Sequence, residues 1–191
     1  NTGELMKVIL MSMPDVSAIV VHADAIHMPN LGIASIGANI DSQHEVYTID
    51  LIRKRRNLRK YITSIVKKIK PDIIGLSAMS WQYDTALKIA RLIRNIFPSA
   101  KIALGGYHAT LLYQEISSSV DALYFDYIVR GEGEIAFKRL VNAMADMDDM
   151  TKIDSLSYKE KGKFVHNRVG GLLNLNDIKL PIRDKRRLTI G

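Results

Sequence analysis

The sequence contains no cysteine, and this one absence excludes disulfides, thiolate zinc sites, iron–sulfur ligation and a cysteine nucleophile. Any redox chemistry the chain joins must draw its metal centre from elsewhere. No apolar run approaches the roughly 18 residues of a membrane-spanning helix. The apolar stretch between Lys7 and Ser12 is also too short for the h-region of a secretory signal. A cytoplasmic location and no membrane span are therefore expected. Internal repeats and low-complexity segments are missing, as are a Ser-His-Asp set, a Walker loop and a zinc motif.

What is present describes a globular protein. At 191 residues, 47% hydrophobic and 25% charged, the chain is long enough for one core and too short for two full domains. The net charge of +7 gathers in residues 52–60 (IRKRRNLRK), in Lys67, Lys68 and Lys70, and in residues 183–187 (RDKRR). No aromatic residues interleave these runs as a single-strand binder would want. They read as a solvated helix face and a basic linker, with no nucleic-acid partner. Met6, opening MKVIL, reads as the natural start, with residues 1–5 an upstream remnant.

Apolar runs bounded by turn residues recur at 7–11, 46–49, 73–77, 101–104 and 127–129, each with the look of a buried strand. Helical periodicity fills the gaps. Leu58, Ile62, Ile65, Val66 and Ile69 share one face, as do Ala86, Ile89, Ala90, Ile93 and Ile96 before Pro98, and 135–147 continues with Phe137, Leu140, Val141 and Met144. Such alternation predicts an α/β fold with a parallel sheet and helices on both faces. The expected architecture is flavodoxin-like (Rossmann-like), five-stranded, in order 2-1-3-4-5. Residues 153–158 and 164–166 alternate around Lys161-Gly162-Lys163 as a small hairpin. The expected division is an α/β domain at 6–150, a β-hairpin extension at 151–168 and a linker at 169–191.

In this fold, ligands sit beyond the carboxyl ends of the strands near the switch point. That rule selects the loops after Met11, Ser77 and Leu104. A serine ending a central strand can donate a hydroxyl to a ligand, although a lone serine there is more often a helix N-cap. The pair Gly105-Gly106 removes two side chains where backbone approaches either a ligand or a tight turn. Together, Ser77 and the glycine pair predict a slot with small walls between neighbouring strands. The first loop is unusually long and carries His22, Asp24 and His27. Without sustained spacing, these histidines are expected in solvent or in structural hydrogen bonds rather than on a metal.

The string Arg130-Gly131-Glu132-Gly133-Glu134-Ile135-Ala136 satisfies G-x-G-x-x-A. Here it follows the last strand instead of the first, and its two carboxylates would repel a pyrophosphate. A structural helix start accounts for them. Nor does a nucleophile, metal cluster or second histidine accompany the two glutamates as an acid/base pair. A flavodoxin-like or receiver-like regulatory or nucleotide-binding domain is the alternative reading. A receiver requires an acidic pair after strand 1, where this chain has Met11-Ser12-Met13.

Taken in order, the motifs are a long first loop, Pro29-Asn30-Leu31-Gly32 opening a helix, His44-Glu45-Val46 with Asp50, Pro71-Asp72-Ile73-Ile74-Gly75-Leu76-Ser77, Leu104-Gly105-Gly106-Tyr107-His108, and Val129-Arg130-Gly131-Glu132-Gly133-Glu134. This order resembles the amino-terminal cobalamin-binding domain of cobalamin-dependent radical SAM enzymes over residues 6–147. It is most similar to the branch holding the anaerobic magnesium-protoporphyrin IX monomethyl ester oxidative cyclases and many methyltransferases. The resemblance implies a corrin over the carboxyl edge of the sheet and a nucleotide tail in a slot at Ser77, Gly105 and Gly106. It extends the cofactor-binding positions to Asn30, Leu31, Gly32, Ala78, Met79, Tyr107, His108, Gly131 and Glu132. It also implies a partner, the radical SAM domain of the same protein, where a C-x-x-x-C-x-x-C motif holds a 4Fe-4S cluster and S-adenosylmethionine. The cysteine-free chain is then non-catalytic by itself, and its parent a cyclase or methyltransferase.

One departure generates a test. Modules with a histidine lower ligand to cobalt carry D-x-H-x-x-G in the first loop, and counting back from Gly32 places Pro29 at the histidine. Proline has no lone pair to offer, so no protein imidazole is expected on cobalt, with His27 the one substitute by another loop path. The Co(II) paramagnetic resonance spectrum of bound cobalamin should therefore be unchanged by His22→Ala or His27→Ala. Nitrogen splitting that disappears in His27→Ala would make that histidine the ligand.

Overall fold

The computed structural model of the chain describes residues 3–15, 30–54, 57–171 and 174–181. Its strands are β1 (Lys7–Ser12), β2 (Glu45–Asp50), β3 (Ile73–Ser77), β4 (Lys101–Gly105), β5 (Tyr127–Val129), β6 (Leu156–Glu160) and β7 (Lys163–His166). Its helices are α1 (Leu31–Asn39), α2 (Leu58–Ile69), α3 (Tyr83–Ile96), α4 (Tyr107–Leu111), α5 (Tyr113–Ser118) and α6 (Gly133–Asp146). All strands join one sheet in the order β2-β1-β3-β4-β5-β6-β7. The first five are parallel, in the predicted order, and the last two antiparallel.

The strand count corrects the expectation of five. The hairpin is no separate ornament, because β6 pairs with β5 through Tyr127↔Tyr158, Ile128↔Ser157 and Val129↔Leu156. Leu156 and Ser157 are fully buried. A three-residue β5 would leave its outer backbone groups unpaired, and covering such an edge is a standard need of sheets. Arg130 fastens the join from β5. It is 3% exposed, donates to the carbonyls of Leu156 (3.2 Å) and Asn167 (2.5 Å), and stands over the Tyr113 ring at 4.6 Å.

Alternation along the strands splits the core in two. Ile9, Met11, Ile74, Leu76, Ile102 and Leu104 face α2 and α3, where Ile62, Val66, Ile89 and Ile93 complete a dense aliphatic layer. Val8, Leu10, Ile73, Ala103 and Val129 belong to the other layer, with Ile33 of α1 and Phe137, Leu140 and Val141 of α6. Helix ends follow local chemistry: Asn30 caps α1 by accepting the Ile33 amide, and Lys70 closes α2 in the left-handed region before Pro71. Among the described residues no helix is long and apolar enough to cross a membrane.

The amino end of the sheet is held by polar networks. His44, 4% exposed, accepts the Met6 amide at Nδ1 (3.3 Å), and its Nε2 lies 3.0 Å from Asn142 Oδ1. Asn142 in turn donates to Asp41 (2.8 Å), which pairs with Lys138 (2.8 Å). Arg94 of α3 donates to the carbonyls of Tyr124 (3.3 Å) and Ala100 (2.9 Å) and to the Asp126 carboxylate. That same carboxylate accepts the Ile102 amide at 2.8 Å. One guanidinium thus joins α3 to the starts of β4 and β5.

Removing it leaves the half-buried Asp126 carboxylate to the Ile102 amide and Lys101 and takes a donor from the Tyr124 and Ala100 carbonyls. Arg94→Leu should lower the unfolding free energy by about 2 to 3 kcal/mol. Urea denaturation measures this, and a midpoint equal to the parent's would show that the hub is dispensable.

Candidate functional site

At the carboxyl edge, the α1/α6 face of the two central strands is lined by small residues. Parallel register sets Gly75 beside Ala103 and Ser77 beside Gly105. The opposite face at the same level carries Ile74, Leu76, Ile102 and Leu104. Side chains alternate, so the small set faces one way only. The result is a mainly apolar cavity of about 230 Å³ beneath α1 and α6. Leu10 and Val129 flank it, Ile33 and Ile36 of α1 and Phe137 of α6 roof it, and Gly131 to Glu134 rim it.

The glycines have separable duties. A Cβ on Gly105 would meet nothing nearer than the Val129 carbonyl at 3.8 Å, so this position opens onto the cavity. Gly106 has φ +92°, and a Cβ there would lie 2.7 Å from the Ala78 carbonyl oxygen and 2.8 Å from its nitrogen. It is needed by the turn itself. Ala78 is gripped on both sides, donating its amide to the Gly105 carbonyl (3.1 Å) and accepting the His108 amide (3.2 Å). Gln82 reinforces the β3 loop: its Oε1 accepts the Met79 amide (3.0 Å) and its Nε2 donates to the Asp15 carbonyl (2.6 Å).

Of the positions expected from sequence, Gly32, Ser77, Gly105, Gly106, Gly131 and Glu132 meet at the cavity. Asn30 is the α1 cap and Ala78 the buried link just described. Leu31, Met79 and Tyr107 are 52%, 37% and 56% exposed on the loops and helix starts above the carboxyl edge. His108 turns away from the cavity, 9% exposed and stacked on Tyr83 with ring centroids 4.2 Å apart. Burial holds its imidazole below the usual histidine range, against the opposing charge of Asp84. Burial and the hydrogen bond to Asp121 push the Tyr83 phenol up. These groups form a structural stack.

The fingerprint-like string serves structure as well. Glu134 lies in the first turn of α6 and accepts the Ser35 hydroxyl of α1 at 2.8 Å. A Cβ on Gly133 would approach Ile36 to 3.0 Å, so glycine there eases the close passage of α1 over α6. Asp50 accepts the Ser12 hydroxyl (2.7 Å) and the Ile52 amide (3.2 Å), and so closes the β2 turn. His22, Asp24, His27 and Pro29 lie outside the described residues, as do Arg55, Arg56 and the 183–187 run.

Sequence reading missed Gly75, Ala103, Ile36, Phe137 and Trp81. A signal for the first two was present: G-x-S in β3 and A-x-G in β4 are period-two runs of small residues within otherwise aliphatic strands. Trp81, the sole tryptophan, is 54% exposed just after β3. Its signal was an unpaired large aromatic in a ligand-side loop.

The chain is 32% identical over 184 residues to an uncharacterized methyltransferase of Pyrococcus horikoshii, an alignment that takes in 95% of this chain and 39% of that protein. It is 30% identical over 96 residues to the anaerobic magnesium-protoporphyrin IX monomethyl ester cyclase of Rubrivivax gelatinosus, with 49% of this chain and 17% of that protein covered. The chain thus spans well under half the length of these relatives. Its fold is similar to that of the cobalamin-dependent S-adenosylmethionine radical enzyme OxsB, solved with aqua-cobalamin, at a TM-score of 0.71 and 22% identity over 93% of this chain and 24% of that one. Residues 17–141, more than half of the sequence, match the B12 binding domain, and the chain belongs to that family.

Proposed function

We propose that this chain is the cobalamin-holding module of a larger radical SAM enzyme of methyltransferase or oxidative cyclase type. The observation that carries the reading is the hollow between β3 and β4. Its 230 Å³ suits a flat heteroaromatic base and is far too small for a corrin macrocycle. A ligand that fits must therefore divide, a narrow tail inside and a broad body outside. Cobalamin is built that way, and the small-walled slot fits its nucleotide tail.

In this reading each residue has a physical task. Gly105 leaves the volume a side chain would fill, Ser77 offers a hydroxyl at the wall, and Phe137 and Ile36 exclude water from above. Gly32, Gly131 and Glu132 form the mouth. Leu31, Met79, Trp81 and Tyr107 supply exposed apolar surface at the carboxyl edge, the kind of patch that marks a covered site. They are the candidates to meet the macrocycle, and Asn30, Ala78 and His108 support them from behind.

When bound, cobalamin supplies a cobalt centre able to carry a methyl group. The chain's part is to hold and orient it. A 4Fe-4S cluster and S-adenosylmethionine belong to the partner, a radical SAM domain of the same protein, because this chain has no cysteine to ligate iron. Residues 6–150 form the cofactor-holding unit, 151–168 the hairpin that completes its sheet, and 169–191 the lead toward the partner domain. We place the protein in the cytoplasm.

Purified chain mixed with hydroxocobalamin should keep the corrin's visible absorption through gel filtration. Elution of all colour apart from folded protein would count against the reading. The two glycines then separate cavity from turn. Gly105→Val should abolish retention while changing stability little, since its methyls enter open space. Gly106→Val should destabilise the fold itself, by about 2 to 5 kcal/mol from positive-φ strain plus overpacking against Ala78. Calorimetry alongside gel filtration checks both, and undiminished binding by Gly105→Val would show that the hollow is not the tail site.

A further inference from the structure

The β4–β5 ladder ends early. Its paired residues are Ala103↔Tyr127 and Leu104↔Ile128, so the strands part at the level of Gly105 and the cavity opens between their loops. One side chain ties those loops together beyond the parting. Thr110, on α4, donates its hydroxyl to the Gly106 carbonyl (2.9 Å) and accepts the Gly131 amide (2.8 Å). Gly106 and Gly131 both line the cavity, and Thr110 stands behind them.

The tie completes a chain of loop contacts. Ala78 locks the β3 loop to the β4 loop through two backbone hydrogen bonds, so that wall is fixed without side chains. In the β5 loop, Arg130 is fastened to the Leu156 and Asn167 carbonyls and Glu134 to Ser35, and Gly131 lies between them. Gly131 has φ +68°, and a Cβ there would find no atom within 4 Å, so no packing restrains it on that side. The hydrogen bond from its amide to the Thr110 hydroxyl ties it to the β4 loop.

We infer that Thr110 is a positioning residue that sets the width of the slot by holding the β5 loop to the β4 loop. The inference rests on the reading of the slot as the cobalamin tail site. Threonine's hydroxyl both donates and accepts, serine's does the same, and valine keeps the shape while offering neither.

The experiment compares the parent chain with Thr110→Val and Thr110→Ser. It measures hydroxocobalamin release, thermal melting, and hydrogen exchange of the Gly131 amide by NMR. Thr110→Val should release cobalamin about tenfold faster and speed Gly131 exchange several-fold, with a melting temperature near the parent's. Thr110→Ser should match the parent. Valine releasing at the parent rate, or serine as impaired as valine, would overturn the inference. If valine does not fold, Thr110→Ala serves as the second variant without a hydroxyl. If the parent itself retains no cobalamin, the cofactor reading fails, and Gly131 exchange still decides: acceleration in valine and not in serine supports the tie, and unchanged exchange overturns it.

Discussion

The structure depends on one coincidence of register: Gly75 lies beside Ala103 and Ser77 beside Gly105, all on the same face of the two central strands. A parallel sheet ordinarily buries aliphatic side chains on both faces. Here the α2/α3 face does so, while the α1/α6 face is left hollow at its carboxyl end. Each omitted aliphatic side chain gives up about 1.5 to 3 kcal/mol of burial. The dense Ile/Leu layer on the far face and the seven-stranded sheet offset that loss.

A hollow persists only if its walls cannot collapse. The mutual grip of Ala78 with Gly105 and His108, the Gln82 bridge to Asp15, and the Ser35–Glu134 bond between α1 and α6 are all made by the protein alone. The slot is therefore preformed, and a ligand entering it does not have to order these groups. Polar networks at the other end, around His44 and Arg94, fix the strands whose carboxyl ends build the slot. Among the described residues, the buried charged and titratable groups named above serve the fold. The proposed ligand site, by contrast, is made by absent side chains.

That division explains what the sequence made legible. Strand positions and helix faces came from apolar periodicity, because burial imposes period two or 3.6 on every element, and strand order came from the topology that such alternation favours. Ser77, Gly105 and Gly106 stood out because they end strands. Gly75 and Ala103 passed unnoticed inside strands, where a small residue reads as an ordinary core position until its neighbour in register is known. Periodicity also marked β6 without revealing its partner, since the pairing with β5 is set by a short edge and by Arg130 reaching the Leu156 and Asn167 carbonyls. His108 sits in the motif, and its ring stacks on Tyr83, a contact that no sequence pattern announced.

Depth and mouth of the slot are controlled by different glycines. A Cβ on Gly75 would come within 2.8 Å of Leu10 Cδ2 and 3.1 Å of the Phe137 ring. Its absence lets that ring settle onto the strand and close the inner end. A side chain there would drive the ring toward the space it now bounds, because well-packed cores accommodate added volume only by displacement. Gly105, by contrast, has open space before it and controls entry. An enclosed floor with an open mouth admits a ligand from the carboxyl edge alone, the side on which Leu31, Met79, Trp81 and Tyr107 are exposed. In the proposed reading, insertion of a tail from that direction would bring whatever is attached to it down toward those four side chains, so that one approach serves both halves of a divided ligand.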